Sequence, residues 1–289
     1  MDGKIKMCNR GFHACESPFD VFDYYTMIDS RFCEVEQDGN ISKEDRGTKI
    51  CSSKIKIKAE LKLAGMINLG VEWLKEITSP EKIKTSIKDN SSGNYAKIGS
   101  SGDEAQIGSS GNYAKIGSSG YGAQIGSSGY GAQIGSSGYD AKIGSSGNNA
   151  QIGSSGNDAK IGSSGNDAKI GSSGNDAKIG SSGNNAQIGS SGDGAQIGSS
   201  SDGAKISSSG YGAKTDSTGE DCVIMCAGIN SVAKASKGSW ITLSEWSYSE
   251  GKQRYIPICV KTEFVDGEKI KADTYYSLKG GVFVEWIND

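Results

Sequence analysis

The chain has three prolines in 289 residues, one histidine, an apolar share of 35%, and no run of apolar residues approaching the roughly 20 that a membrane helix needs. The last shortage excludes a membrane-spanning helix. The low apolar share excludes an ordinary globular core along the whole length. Scarce proline, with 43 glycines at fixed rather than scattered spacing, argues against a disordered linker. No G-x-x-x-x-G-K-[ST] phosphate loop, H-E-x-x-H motif or G-x-S-x-G elbow is present. Charge of either sign is in short surplus too. The net charge is −3, and all of it sits in residues 216–289, where 8 basic residues face 11 acidic ones. That balance excludes a simple polyanion, and no basic stripe marks a general phosphate binder, so direct nucleic-acid binding is not expected. Seven cysteines form no regular framework, and no charged-then-apolar leader follows Met1. A reduced protein of the host-cell cytoplasm is expected.

What the sequence has in abundance is a nine-residue unit, G-S-S-G-x-x-A-[KQ]-I, with Ile at every ninth position from Ile98 to Ile206 and Ala two residues earlier each time. Strict self-similarity of this kind marks a stacked repeat architecture. In A-[KQ]-I the period is two, which is a short strand with Ala and Ile inward and Lys or Gln outward. The glycines, serines and asparagines of the remainder turn the chain. One strand cannot bury its own apolar face, so two units per coil are expected, giving about seven coils and a rod of roughly 30 Å around a core of Ala and Ile alone. The fold class expected is mainly β: a central β-solenoid at 91–224, a small α/β N-terminal cap at 1–90 and an antiparallel β C-terminal cap at 225–289.

With two units per coil, the variable positions sort onto two sides. One side stacks Lys142, Lys160 and Lys178, and beside them Asp140, Asp158 and Asp176. Tyr121 and Tyr139 lie at the turns nearby, and exposed tyrosine favours interfaces. These eight residues form a candidate docking strip. The simpler alternative is that the charges keep the rod soluble and block edge pairing. G-S-S-G-N-D is also like the calcium nonapeptide G-G-x-G-x-D, but the sixth position is often Tyr, Asn or Gly and the apolar residue is displaced by one. An ice-ordering face would ordinarily present threonine.

At the ends, a helical stretch is expected at residues 18–27, strands at 32–36 and 54–58, and an amphipathic segment at 64–77. The solenoid register continues through D-S-T-G-E-D-C-V-I, which makes Cys222 and Ile224 core fillers. Further on, W-I-T-L-S-E-W, a turn at Asp266-Gly267 and V-F-V-E-W-I predict a small β unit whose large aromatics cover the last coil. The stretch G-F-H-A-C-E-S-P-F-D-V-F-D-Y-Y at residues 11–25, with E-V-E-Q-D-G and the closing D-G-E-K-I-K-A-D-T-Y-Y-S-L, resembles an uncharacterised family found in phages, prophages and gut bacteria. Members of that family carry G-S-S-G or A-S-S-G repeats between similar ends. They also have further residues upstream, so an incomplete N-terminal subdomain is expected here.

Catalytic candidates are few. His13, between Cys8 and Cys15, could join Cys33 or Cys51 in a zinc site, but C-x4-H-x-C fits no common structural zinc pattern. A Cys15 nucleophile activated by His13 lacks an orienting third residue. No cofactor, no metal and no enzymatic activity are expected. The leading expectation is a phage or prophage accessory protein that inhibits a host defence complex, a protein or ribonucleoprotein assembly, in the manner of an anti-CRISPR. A homodimer is left open. The alternatives are a structural part or spacer of a phage particle, and an enzyme centred on His13 and Cys15.

Overall fold

A computed structural model describes residues 5–44, 48–79 and 93–287. Each repeat unit contributes one four-residue strand, such as Lys160–Ser163 or Lys178–Ser181. Every strand up to Lys214–Ser217 pairs in parallel and in register with the strand 18 residues later, Ile152 opposite Ile170 and Ile161 opposite Ile179. Alternate units therefore build opposite walls, as two units per coil requires. One wall runs from Lys97–Ser100 to Val223–Cys226, the other from Gln106–Ser109 to Val232–Ala235, eight strands each. Cys222 and Ile224 fill the core as expected. The register persists one unit further, where Ala233 takes the isoleucine place opposite Thr215. The rod is thus eight coils rather than about seven, and roughly 34 Å long at the usual strand spacing.

Its core is also richer than Ala and Ile. The pleat that turns Ile inward turns the serine two residues later inward as well. Ser127, Ser145, Ser163, Ser181 and Ser199 are fully buried beneath their wall.

The turns explain the rest of the unit. The residue before Ala has positive φ in coil after coil, 54° at Asp140, 56° at Asp158, 55° at Asp176 and 63° at Gly122. Asn, Asp and Gly adopt this conformation most readily, and Tyr95, Glu104 and Tyr113 take it in the first units. The residue before that one offers a side-chain oxygen to the next coil: Asn157 Oδ1 accepts from the Asn175 N–H at 2.9 Å, and Asn175 Oδ1 from the Asp193 N–H at 3.0 Å.

The N-terminal module is a three-stranded antiparallel sheet, β1 (Phe12–Cys15), β2 (Phe32–Lys43) and β3 (Lys49–Leu61), in the order β1-β3-β2, followed by helix α1 (Leu63–Ile77). The helix expected at 18–27 is instead a shorter 3₁₀ segment, Pro18–Asp23. At three residues per turn, Phe19 and Phe22 fall on one side and both are buried. The module is no simple end cap. Helix α1 lies along the flank of the rod, with Leu63 at Gly198, Ile67 at Gly180, Val71 and Leu74 at Gly144, and Thr78 at Gly108. Five strand spacings separate Gly108 from Gly198, roughly 24 Å. Fifteen helical residues span about 22 Å, so the helix matches the wall it covers.

At the other end, Trp240–Ser249 extends the first wall in parallel and folds back as Arg254–Phe264. Tyr276–Lys279 joins the second wall antiparallel and pairs with Val282–Glu285. The last coil is closed by Ile241, Leu243, Val265, Ile270, Tyr276 and Leu278, not mainly by tryptophan. Strand alternation sends Ile241 inward and leaves Trp240 47% exposed. The predicted turn is present at Asp266-Gly267, where Asp266 Oδ1 accepts from the N–H groups of Glu268 and Ile270.

Candidate functional site

The two walls present the same surface: a column of Lys or Gln beside a column of Gly. On the covered wall the N-terminal module uses both columns. A Cβ added to Gly162 would lie 2.6 Å from the Phe19 ring, and one added to Gly180 would lie 2.0 Å from Ile67. Lys142 pairs with Asp20 at 2.5 Å, Lys160 with Asp23 at 2.6 Å and Asp140 at 3.0 Å, and Lys214 with Asp29. Lys178 Nζ donates to the Phe22 carbonyl at 2.9 Å, and Gln196 Oε1 accepts from the Met27 N–H at 3.1 Å. Burial alone would pull the Lys160 ammonium down, but Asp23 and Asp140 hold it above the usual lysine value. Lys178, buried without an equally close carboxylate, is pulled below it.

The lysine half of the expected docking strip is therefore engaged within the chain. Lys160 is 1% exposed, and Lys142 and Lys178 are largely covered. Asp140 and Asp158 remain half-buried and Asp176 exposed, at turns that require the left-handed conformation. Tyr121 and Tyr139 are exposed and stack at 5.7 Å between ring centroids. Nothing in the repeat itself distinguished the lysines that would be covered from those that would not.

Among the described residues nothing covers the opposite wall. A Cβ added to Gly99, Gly117, Gly135, Gly153 or Gly171 would meet no atom within 4 Å. The glycine column leaves a shallow groove of about 1320 Å³ that runs from Lys97 to Met225. Along its side stand Lys97, Lys115, Gln133, Gln151, Lys169, Gln187 and Lys205. All four lysines are exposed, and among the described residues none makes an ion pair. Burial registers the missing cover. Ile125, Ile143 and Ile179 are fully buried, whereas Ile116, Ile134 and Ile152 retain 3–4%. The groove ends on an apolar platform of exposed Val223, Met225, Trp240 and Phe264, with the last two rings 5.1 Å apart. Sequence reasoning missed this face because its columns are made of the commonest residues in the repeat.

The cysteine and histidine region forms a separate cleft of about 1040 Å³ in the N-terminal module, lined in part by Cys8, His13, Cys15 and Cys33. His13 Nε2 accepts from the Cys8 N–H at 3.0 Å. Burial, followed by the nearby Asp20 charge, pushes the Cys15 thiol up to about 11, the opposite of what a nucleophilic thiolate needs. The seven cysteines are free, and among the described residues no group of three or more His, Cys, Asp or Glu side chains could hold a metal ion. No described helix is long and apolar enough to cross a membrane.

Residues 1–69 match the model of a domain of unknown function, DUF7666. The match takes in β1 to β3 and the first half of α1 and stops before the repeats. No curated protein and no solved structure matches the chain.

Proposed function

We propose that this protein is a non-catalytic binding protein that acts by occupying a large host assembly, a protein or ribonucleoprotein complex that defends the cell against mobile elements, much as an anti-CRISPR inhibitor does. The observation that carries the binding reading is the wall of the rod left uncovered by the described residues, a groove lined by the same columns of residues as the wall the chain covers for itself on the other side. A rigid, parallel-stranded face of this length can present many weak contacts in fixed register, which suits recognition of a large surface. The choice of a defence complex rests on the resemblance of the chain ends to proteins of phages and prophages, and this reading would have the protein act in the host cytoplasm. The edge carrying Tyr121, Tyr139, Asp140, Asp158 and Asp176 would add rim contacts.

The test is to mix the tagged full chain with purified CRISPR effector complexes and with host lysate, then to measure stoichiometric co-elution on sizing and the effector's target cleavage. Co-elution with one effector and loss of its cleavage is the expected result. Full cleavage activity in every effector at saturating protein, with no co-eluting assembly from the lysate, would contradict the proposal.

A further inference from the structure

The covered wall is an internal template for what the bare wall accepts. On the covered wall a 15-residue helix seats aliphatic side chains at Leu63, Ile67, Val71 and Leu74, spaced i, i+4, i+8 and i+11, over the glycine column. Carboxylates of the adjoining segment, Asp20, Asp23 and Asp29, reach the lysine column. The other wall repeats the geometry: a glycine column from Gly99 to Gly189, the same five spacings long and open from Gly99 to Gly171, beside Lys97, Lys115, Lys169 and Lys205. The strand positions facing outward from Lys97 to Ser207 are Lys, Gln and Gly with Ser207 as the last, and no carboxylate is among them.

We propose, resting on the binding function above, that this wall docks an acidic amphipathic helix of about four turns from a partner protein. Its aliphatic stripe fills the glycine trough and its carboxylates meet the four lysines. A nucleic-acid strand would also find the lysines, but it has no use for a trough lined by glycine and isoleucine and running without aromatic stacking partners until Trp240. Shape and charge together favour the helix. The apolar platform of Val223, Met225, Trp240 and Phe264 extends the site for a large side chain at one end of that helix.

The test uses the full chain and a labelled, alanine-based 17-residue peptide with Leu, Ile, Val and Leu at the α1 spacing and glutamates along one flank. A second peptide carries lysines in place of the glutamates, and a 20-nucleotide oligothymidine serves as the competing polyanion. Fluorescence anisotropy reads binding to the wild type, to a Gly135→Leu/Gly153→Leu variant that fills the trough where no atom obstructs it, and to Lys115→Glu/Lys169→Glu. Circular dichroism and sizing confirm that both variants remain folded. The glutamate peptide is expected to bind the wild type, to weaken by about tenfold or more on the filled trough, and to lose to the lysine peptide once the charges are reversed. Absence of glutamate-peptide binding up to about 1 mM would overturn the proposal. Equal binding to the filled trough, or tighter binding of oligothymidine at the same lysines, would overturn it too. If the filled-trough variant still co-elutes with a host assembly, the protein is a binder that uses another face. If the peptide binds and no assembly is ever captured, the site stands and the defence-complex reading fails.

Discussion

Glycine occupies the same place in every unit, yet its role differs from wall to wall. Gly162 touches the Phe19 ring, so a methyl group there must displace a buried aromatic, whereas Gly153 faces open space. Gly162→Ala is expected to cost about 1–3 kcal/mol in a denaturant titration, and Gly153→Ala to lie within about 1 kcal/mol of wild type, on the stabilising side. Equal effects of the two would mean that the N-terminal module does not rest on that wall. A second residue-scale prediction concerns Asp216, which stands in the glycine column of the covered wall. It is paired with Lys234 at 3.0 Å, and Lys214, Asp29, Asp273 and Tyr275 lie around it. Burial, offset in part by Lys234, raises its carboxyl to about 6. A raised acid favours the folded state only while protonated, so its contribution is full below about pH 4 and is lost as pH rises through about 6. Relative to Asp216→Asn, the wild type should lose about 2–3 kcal/mol of stability between those limits. Parallel stability profiles for the two proteins would contradict this assignment. The left-handed turn positions were legible in the sequence only as a preference for Asn, Asp and Gly. Asp140, Asp158 and Asp176 looked like a ladder of charge when their first duty is to the backbone.

Among the elements, the strands were the most legible, because A-[KQ]-I repeats with period two and the 18-residue coil follows from the need to bury one face against another. The inward serine was not, since a hydroxyl gives no apolar signal and its burial depends on the pleat continuing past Ile and Gly. Helix α1 was visible as an amphipathic segment, but its place was not. An apolar stripe says that a helix must be covered, not by what. The 3₁₀ segment beside it supplies Asp20 and Asp23 to lysines more than 100 residues later, a pairing no local pattern announces. The role of this element can be measured through Lys160, whose ammonium is buried between Asp23 and Asp140. Lys160→Ala should destabilise by about 1–3 kcal/mol, since both carboxylates retain some access to water. Lys169→Ala, its exposed counterpart on the other wall, should cost less than about 0.5 kcal/mol. Because Asp23 and Asp140 hold the Lys160 ammonium above its usual value, its stabilising share persists below the ordinary lysine range and disappears only as pH rises past the raised one.

At the scale of the whole molecule, the rod with two walls was legible from spacing alone, and the asymmetry between the walls was not. Both walls carry Lys or Gln beside Gly, and only folding shows that the chain's own helix lies on one, while among the described residues nothing lies on the other. The eight lysines in these columns report that asymmetry directly. Brief labelling of the full native chain with an amine-reactive ester, read peptide by peptide by mass spectrometry, gives each lysine its own rate. Lys97, Lys115, Lys169 and Lys205 are expected to react about tenfold faster or more than Lys142, Lys160, Lys178 and Lys214, and the difference to vanish on unfolding. Equal rates in the two sets, in protein that is otherwise folded, would contradict the asymmetry.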